Sequence, residues 1–335
     1  KCFHLLGYDL DIRAGVTLSL LHTLIGQYSP DNVQKIWLQV IEEVSSANQN
    51  AGTLELDKFP QDVREAFKEK ASRIIPGEFL PISTPTFEIN AATRQHGSEL
   101  ATAMLIGAWN ELSKNDKAIV ESVSCSTYDD WIKIIREVFS QSGSPLSLKN
   151  GKWKVNNRRE LWEILGPRLF DDHLNRFKEN AVIVLKECDP KLDLPPDEQL
   201  TANIYGKVLS SSHTLRNGFA ESLALLGSHP DSLTSCTSGK VEETAVLSVR
   251  EILMDADWVL WASLNDLLPL LAEASPREFL DAVEKALTRD PCPFDMIFAQ
   301  ESSAVFGTTY MSGLLWALET LAWDAEYFMH TIILL

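Results

Sequence analysis

Apolar residues recur at helical spacing over most of the chain. Ser29-Pro30 reads as an N-cap followed by a first helical position, and Val33, Ile36, Trp37, Val40, Ile41 and Val44 then share one face. A mostly apolar stretch over 15–28 and an amphipathic one over 62–75 predict two further helices. The pattern changes at 76. Pro76, Pro81 and Pro85 interrupt a run that otherwise reads as strand. Such prolines reduce it to an edge strand or an extended linker, so a domain boundary is expected ahead of residue 97.

Residues 97–156 carry the most specific pattern. A helix is predicted over 100–112, with Leu100, Met104, Leu105, Ala108 and Trp109 inward. A short one follows over 115–123 on Ile119, Val120 and Val123. Ser126 is expected to cap a third, with Asp129 and Asp130 in the first turn, where the helix dipole favours carboxylates. Trp131, Ile134, Ile135 and Val138 form its core face. Leu146, Leu148, Trp153 and Val155 then alternate around Lys149-Asn150-Gly151. Asn-Gly between alternating apolar residues is a hairpin signal. Three helices followed by a two-stranded ribbon is the order of a winged-helix module.

Beyond 157 only helices are expected. Asn157 with Glu160 fits an N-cap pattern. Helices are read over 171–187, 215–226, 241–254 and 257–274, with a linker at 190–196 and a polar surface loop at 228–240. Ser275-Pro276-Arg277-Glu278 marks another helix start. Residues 292–309 read as irregular and 313–335 as helical. LLPLLAEASPREFL (267–280) can be laid over LWALETLAWDAEYF (315–328), an offset of about 48 residues, close to a two-helix repeat. The expected fold is mainly α: a helical segment at 1–96, a winged-helix-like module with a small β-hairpin at 97–156, and HEAT- or TPR-like helical repeats at 157–335, truncated at the C-terminus.

Composition narrows the function. The chain of 335 residues is 45% hydrophobic, with nine Trp and fourteen Phe, which is globular rather than disordered. A net charge of -17 argues against a nucleic-acid coat or a membrane-surface protein, since both need basic surface. The cysteines at 2, 125, 188, 236 and 292 form no CxxC pair and read as free thiols in a reducing, cytoplasmic compartment. There is no apolar run of about 18 residues and no leader pattern. The sequence starts without Met and stops inside an apolar helical pattern, so a piece of a longer protein is expected.

Catalytic patterns are missing. No phosphate-loop glycine motif, no GxSxG and no paired-His zinc motif occurs. His173 beside Asp171 and Asp172 reads as an acidic helix turn, and Ser210 to His213 as local adjacency without triad geometry. No catalytic, cofactor-binding or metal-ligating residue is assigned. Two candidate surfaces remain. Lys149, Lys152, Lys154 and Arg158 cluster at the hairpin, where a winged helix meets phosphates, although Asp129 and Asp130 on the third helix oppose that use. Trp258, Trp261, Trp316 and Trp323 lie on helix faces and serve either core packing or a protein-binding surface.

GAWNE (107–111), DDWIKIIREVF (129–139), SPLSLKNGKWKV (144–155) and LWEILGPRL (161–169) together resemble large bacterial STAND-type NTPases of antiviral defence. DWVLWASLNDLLPLLAEASPREFLDAVEKAL (257–287) and GLLWALETLAW (313–323) resemble the helical repeats of such proteins. The resemblance covers 95–335. It implies a non-catalytic segment that follows an NTPase module and senses or transmits the binding of a phage protein through its repeats. ATP and Mg would belong to the parent protein, with neighbouring domains as partners and homo-oligomerisation on activation. No residue of an ATP site maps onto this sequence. The alternative is a winged-helix nucleic-acid binder with a helical accessory domain.

Overall fold

The computed structural model describes residues 95–195, 198–301 and 310–334. The helices expected over 15–28, 29–44 and 62–75 and the proline-rich stretch up to 94 lie outside the described residues. The chain divides into two compact units, Thr86–Ala317, and Lys1–Pro85 with Leu318–Leu335. The architecture is mainly helical, with a small three-stranded sheet.

Among the described residues, the first helix, α1 (Gly97–Ile106), is followed by strand β1 (Ala108–Asn110), α2 (Lys114–Ser124), α3 (Tyr128–Phe139), β2 (Leu146–Lys149) and β3 (Lys152–Val155). The helix predicted over 100–112 therefore ends early. Gly107 takes φ 83°, a left-handed conformation that glycine adopts without a Cβ penalty and that ends the helix. Trp109 is still buried, but from a strand, and Leu112 turns outward at 75% exposure. A three-residue strand is too short to show its period of two, so the helical reading ran through it.

Both strand pairings are antiparallel, in the order β1-β3-β2. Asn150 and Gly151 both carry positive φ, 52° and 76°, the two-residue turn that matches strand twist. It sets Lys149 opposite Lys152 and Leu148 opposite Trp153. On the inner face Trp109 stacks on Trp153 at 5.7 Å. Helix α3 closes this face with Trp131 5.2 Å from Trp109 and Phe139 5.2 Å from Trp153. Thr127 caps α3, its Oγ1 accepting from Asp130 N at 3.3 Å; Ser126, the expected cap, lies one residue too early.

The remaining α-helices of the described residues are α4 (Arg158–Leu165), α5 (Asp171–Leu185), α6 (His213–Ser228), α7 (Lys240–Leu253), α8 (Trp258–Ser263), α9 (Leu268–Ala274), α10 (Pro276–Leu287), α11 (Pro293–Glu301), α12 (Ser312–Ala322) and α13 (Phe328–Leu334). Neither Asn157 nor Ser275 makes the side-chain capping bond expected of it, and Asn157 sits at φ 50°. The helix expected over 257–274 splits at a short 3-10 turn, Asn265–Leu267, just before Pro269, which sits in the first turn of α9. There its missing N–H costs no helical bond. Residues 293–301, expected to be irregular, are helical, whereas 302–309 lie outside the described residues. The two similar stretches both span a helix junction. The first junction is Ser275 alone and the second runs over 323–327.

Helix α6 occupies the middle of the Thr86–Ala317 unit. It packs against α9, α7, α5, α1 and β1, and Phe219 on it stacks on Phe177 of α5 at 5.0 Å.

Candidate functional site

Three points tie segments distant in sequence to the cap and first ten residues of α6. The first is the start of α2. Asp116 is fully buried. Its Oδ2 accepts from Asn110 N at 2.8 Å and from Ser212 Oγ at 2.6 Å, and its Oδ1 accepts from Ser212 N at 2.9 Å. Ser212 is also the N-cap of α6, its hydroxyl accepting from Leu215 N at 3.1 Å. One carboxylate thus joins β1, α2 and the first turn of α6. Asn115 Nδ2 adds a bond to Ser211 Oγ at 3.0 Å. Glu187 accepts from the amides of Ser210 and Ser211. Burial works to raise the Glu187 carboxyl, but these amide bonds outweigh it and hold the group below its ordinary value. The hydroxyls beside His213 are therefore committed to loop and helix closure, as their local adjacency implied.

Second, α4 sends Arg158 inward. It was expected among the exposed wing contacts; it is instead 8% exposed. The reason is position: in the first turn of α4, Arg158 faces the helix bundle while Arg159 faces out. Its Nη1 donates to Gly218 O at 3.2 Å and to Glu221 Oε2 at 2.8 Å, and its Nη2 donates to Met104 O at 2.9 Å and to Ser222 Oγ. Burial pulls the guanidinium below its ordinary value, and Glu221 opposes that. Ser222 Oγ in turn donates to Leu105 O at 2.5 Å. This arginine links the C-terminal end of α1 to the middle of α6. The two backbones also touch: a Cβ on Gly218 would lie 2.6 Å from Ala108 N and 2.6 Å from Ile106 O.

The third is Arg216, 1% exposed on α6. It donates to Val184 O at 2.6 Å, Glu187 O at 3.0 Å and Ser263 O at 3.2 Å. These carbonyls lie at the C-terminal ends of α5 and α8, where a cation compensates the helix dipole. A cleft of about 230 Å³ opens beside it, lined by Asp189, Lys191, His213, Asn265, Leu267 and Tyr310 among others. Lys191 bridges to Asp189 at 3.1 Å and lies 5.7 Å from the centre of the Tyr310 ring, so cation and carboxylate satisfy each other.

The other sequence-predicted residues fall into different environments. Lys149, Lys152 and Lys154 are brought together, exposed, on the sheet face opposite Trp153. On α3, Lys133 pairs with Asp130 at 3.0 Å and Arg136 with Glu111 at 3.0 Å. Trp261 is 1% exposed, with Phe279 and Phe294 at 6.2 and 5.2 Å; it is core and not part of a partner surface. Trp258, Trp316 and Trp323 are half-buried. His173 Nδ1 accepts from Phe170 N at 3.2 Å and helps close the start of α5. Among the described residues no group of three His, Cys, Asp or Glu could hold a metal ion, and no helix is long and apolar enough to cross a membrane.

Sequence reading missed Asp116, Arg216 and the inward turn of Arg158. Ser113-Lys-Asn-Asp116 carries the Ser-x-x-acid pattern of a helix start, a signal for the cap but not for the carboxylate's long-range partners.

Comparison with protein-family models, with curated proteins and with solved structures returned no match.

Proposed function

We propose that this chain is a non-catalytic joint and sensor segment of a STAND-type bacterial defence protein. In this reading 97–156 is a winged helix, clamped through α6 onto a stack of helical repeats that responds to a protein partner such as a phage protein. The carrying observation is the clamp itself: Asp116 and Arg158 together tie β1, α1 and α2 to the N-terminal end and middle of α6. A shift of the helical stack cannot leave the module in place without breaking several buried charge-assisted bonds. Such a joint favours one packing over another, and partner binding selects between them. The order α1-β1-α2-α3-β2-β3, with sheet order β1-β3-β2, supports the winged-helix assignment.

The nucleic-acid alternative is the weaker one. It needs α3 and the hairpin lysines to meet one duplex. Yet α3 packs on the inner face of the sheet and the lysines project from the outer face, while the exposed face of α3 carries Asp129, Asp130 and Glu137.

The test starts from the parent reading frame, which should encode a phosphate-binding loop upstream of residue 1. Cells carrying the intact parent gene should resist phage, and the Asp116→Ala and Arg158→Met forms should lose that resistance while the parent still binds ATP. A frame without a phosphate loop, or uncoupled variants that protect as well as the original, would overturn the reading.

A further inference from the structure

The outer face of the sheet is a basic patch in an acidic chain. Lys149 stands directly opposite Lys152, and Lys154 lies two residues further along β3. All three are exposed. Like charges placed directly opposite across a strand pair repel. Elsewhere among the described residues several cations are matched, Lys178 to Glu251, Lys207 to Asp193 and Arg250 to Glu278. No carboxylate of the described residues pairs with the three sheet lysines. The patch is also fixed in place. Its turn is set by Asn150 and Gly151, its inner side is locked by the Trp109–Trp153 stack, and the α6 backbone closes on β1 at Ala108.

We propose that this face docks an extended acidic segment of a partner protein. The spacing is the first reason. Lys152 and Lys154 are about 6.8 Å apart along the strand, and Lys149 sits about 5.5 Å across from Lys152. An extended peptide with carboxylates at alternate positions repeats at the same roughly 6.8 Å. The second reason is size. Three lysines within about 10 Å match a few carboxylates, whereas a duplex carries one charge per roughly 1.7 Å of its axis. Such a duplex would extend its phosphates beyond the patch, toward a chain of net charge -17. A short acidic segment brings its charge to the lysines alone. The inference goes beyond the joint described above and stands without it, since it needs only the exposed face.

The experiment uses the full chain and two labelled probes of equal charge, an alternating Glu-Ala peptide and a short DNA duplex, with binding read by fluorescence anisotropy at low and physiological salt. The peptide should bind, and the Lys149→Gln, Lys152→Gln, Lys154→Gln triple variant should weaken it by about tenfold or more, as the loss of three exposed charge pairs implies. A control replacing exposed Lys186 and Lys285 with Gln should bind the peptide as the original does. Circular dichroism confirms that the variants fold. Absence of peptide binding, equal binding by the triple variant, equal weakening by the control, or tighter binding of the duplex through the same lysines would each overturn the proposal.

Discussion

Asp116→Asn is the sharpest test of the joint, because it keeps size and shape and changes only what the side chain can accept. The carboxylate faces N–H donors on both oxygens: Asn110 N meets Oδ2 and Ser212 N meets Oδ1. An amide offers one acceptor and one NH₂ group. With the NH₂ toward Asn110 it meets a donor head-on; flipped, it meets the Ser212 amide instead. No orientation satisfies both. One charge-assisted bond is lost, worth about 1.5–3 kcal/mol, and one buried amide is left unpaired, at about 1–3 kcal/mol. The two overlap, so a net cost of about 3 kcal/mol is expected. At an m-value of about 3 kcal/mol/M in urea, the midpoint should fall by about 1 M. Tryptophan fluorescence is a suitable readout, since Trp109, Trp131 and Trp153 sit in the module that Asp116 ties down. A cost below about 0.5 kcal/mol, the range of ordinary surface substitutions, would refute the role of Asp116 as the shared acceptor.

Three further outcomes follow from the same geometry. Arg158→Met should cost about 3 kcal/mol, the low end for removing one partner of a buried pair, because Glu221 keeps 30% of its side chain exposed and can rehydrate; a urea midpoint like that of the unchanged protein would count against it. Asp171 accepts from the amide and hydroxyl of Thr237, and these bonds, the hydroxyl first, hold its carboxyl below the ordinary value. Since the folded value is depressed, this tether contributes fully above the unfolded value of about 3.9 and is lost as pH falls through the folded one. Thr237→Val should bring the Asp171 titration, followed by carboxyl NMR, up toward the ordinary value, and an unmoved titration would refute the assignment. Finally, Trp261→Ala should cost about 3–5 kcal/mol as a core truncation and Trp258→Ala about 1 kcal/mol or less, both read from denaturant midpoints; equal costs would contradict the placement of Trp261 in the core.

Much of the local structure was legible because its causes are local. The Asn150-Gly151 turn fixes the hairpin register through two positive φ angles, and alternation then decides that Trp153 points in and Lys152 and Lys154 point out. The amphipathic face of α3 was equally visible in Trp131, Ile135 and Val138. The joint was not legible. Arg158 meets Glu221 across 63 residues and Asp116 meets Ser212 across 96, and nothing near either residue marks it as buried. Arg158 and Arg159 look alike in sequence; the phase of α4 alone separates a core arginine from a solvent-facing one. β1 was hidden for a different reason. Its three residues lie within a helical pattern that continues on both sides, and only Gly107 signals the break.

The bare contact at Gly218 has a mechanical consequence. With no side chain between them, the backbone of α6 rests on β1 as a rod rests on a fulcrum. Gly218 is the sixth of the 16 residues of α6, so the rod, about 24 Å long, is divided into arms of roughly 1:2. A tilt that moves the far end, beside α9, by a given distance moves the Ser212 end by about half as much and in the opposite direction. In the joint proposed above, displacements of the helices beyond α6 would then reach residues 97–156 reduced in amplitude and reversed in sense.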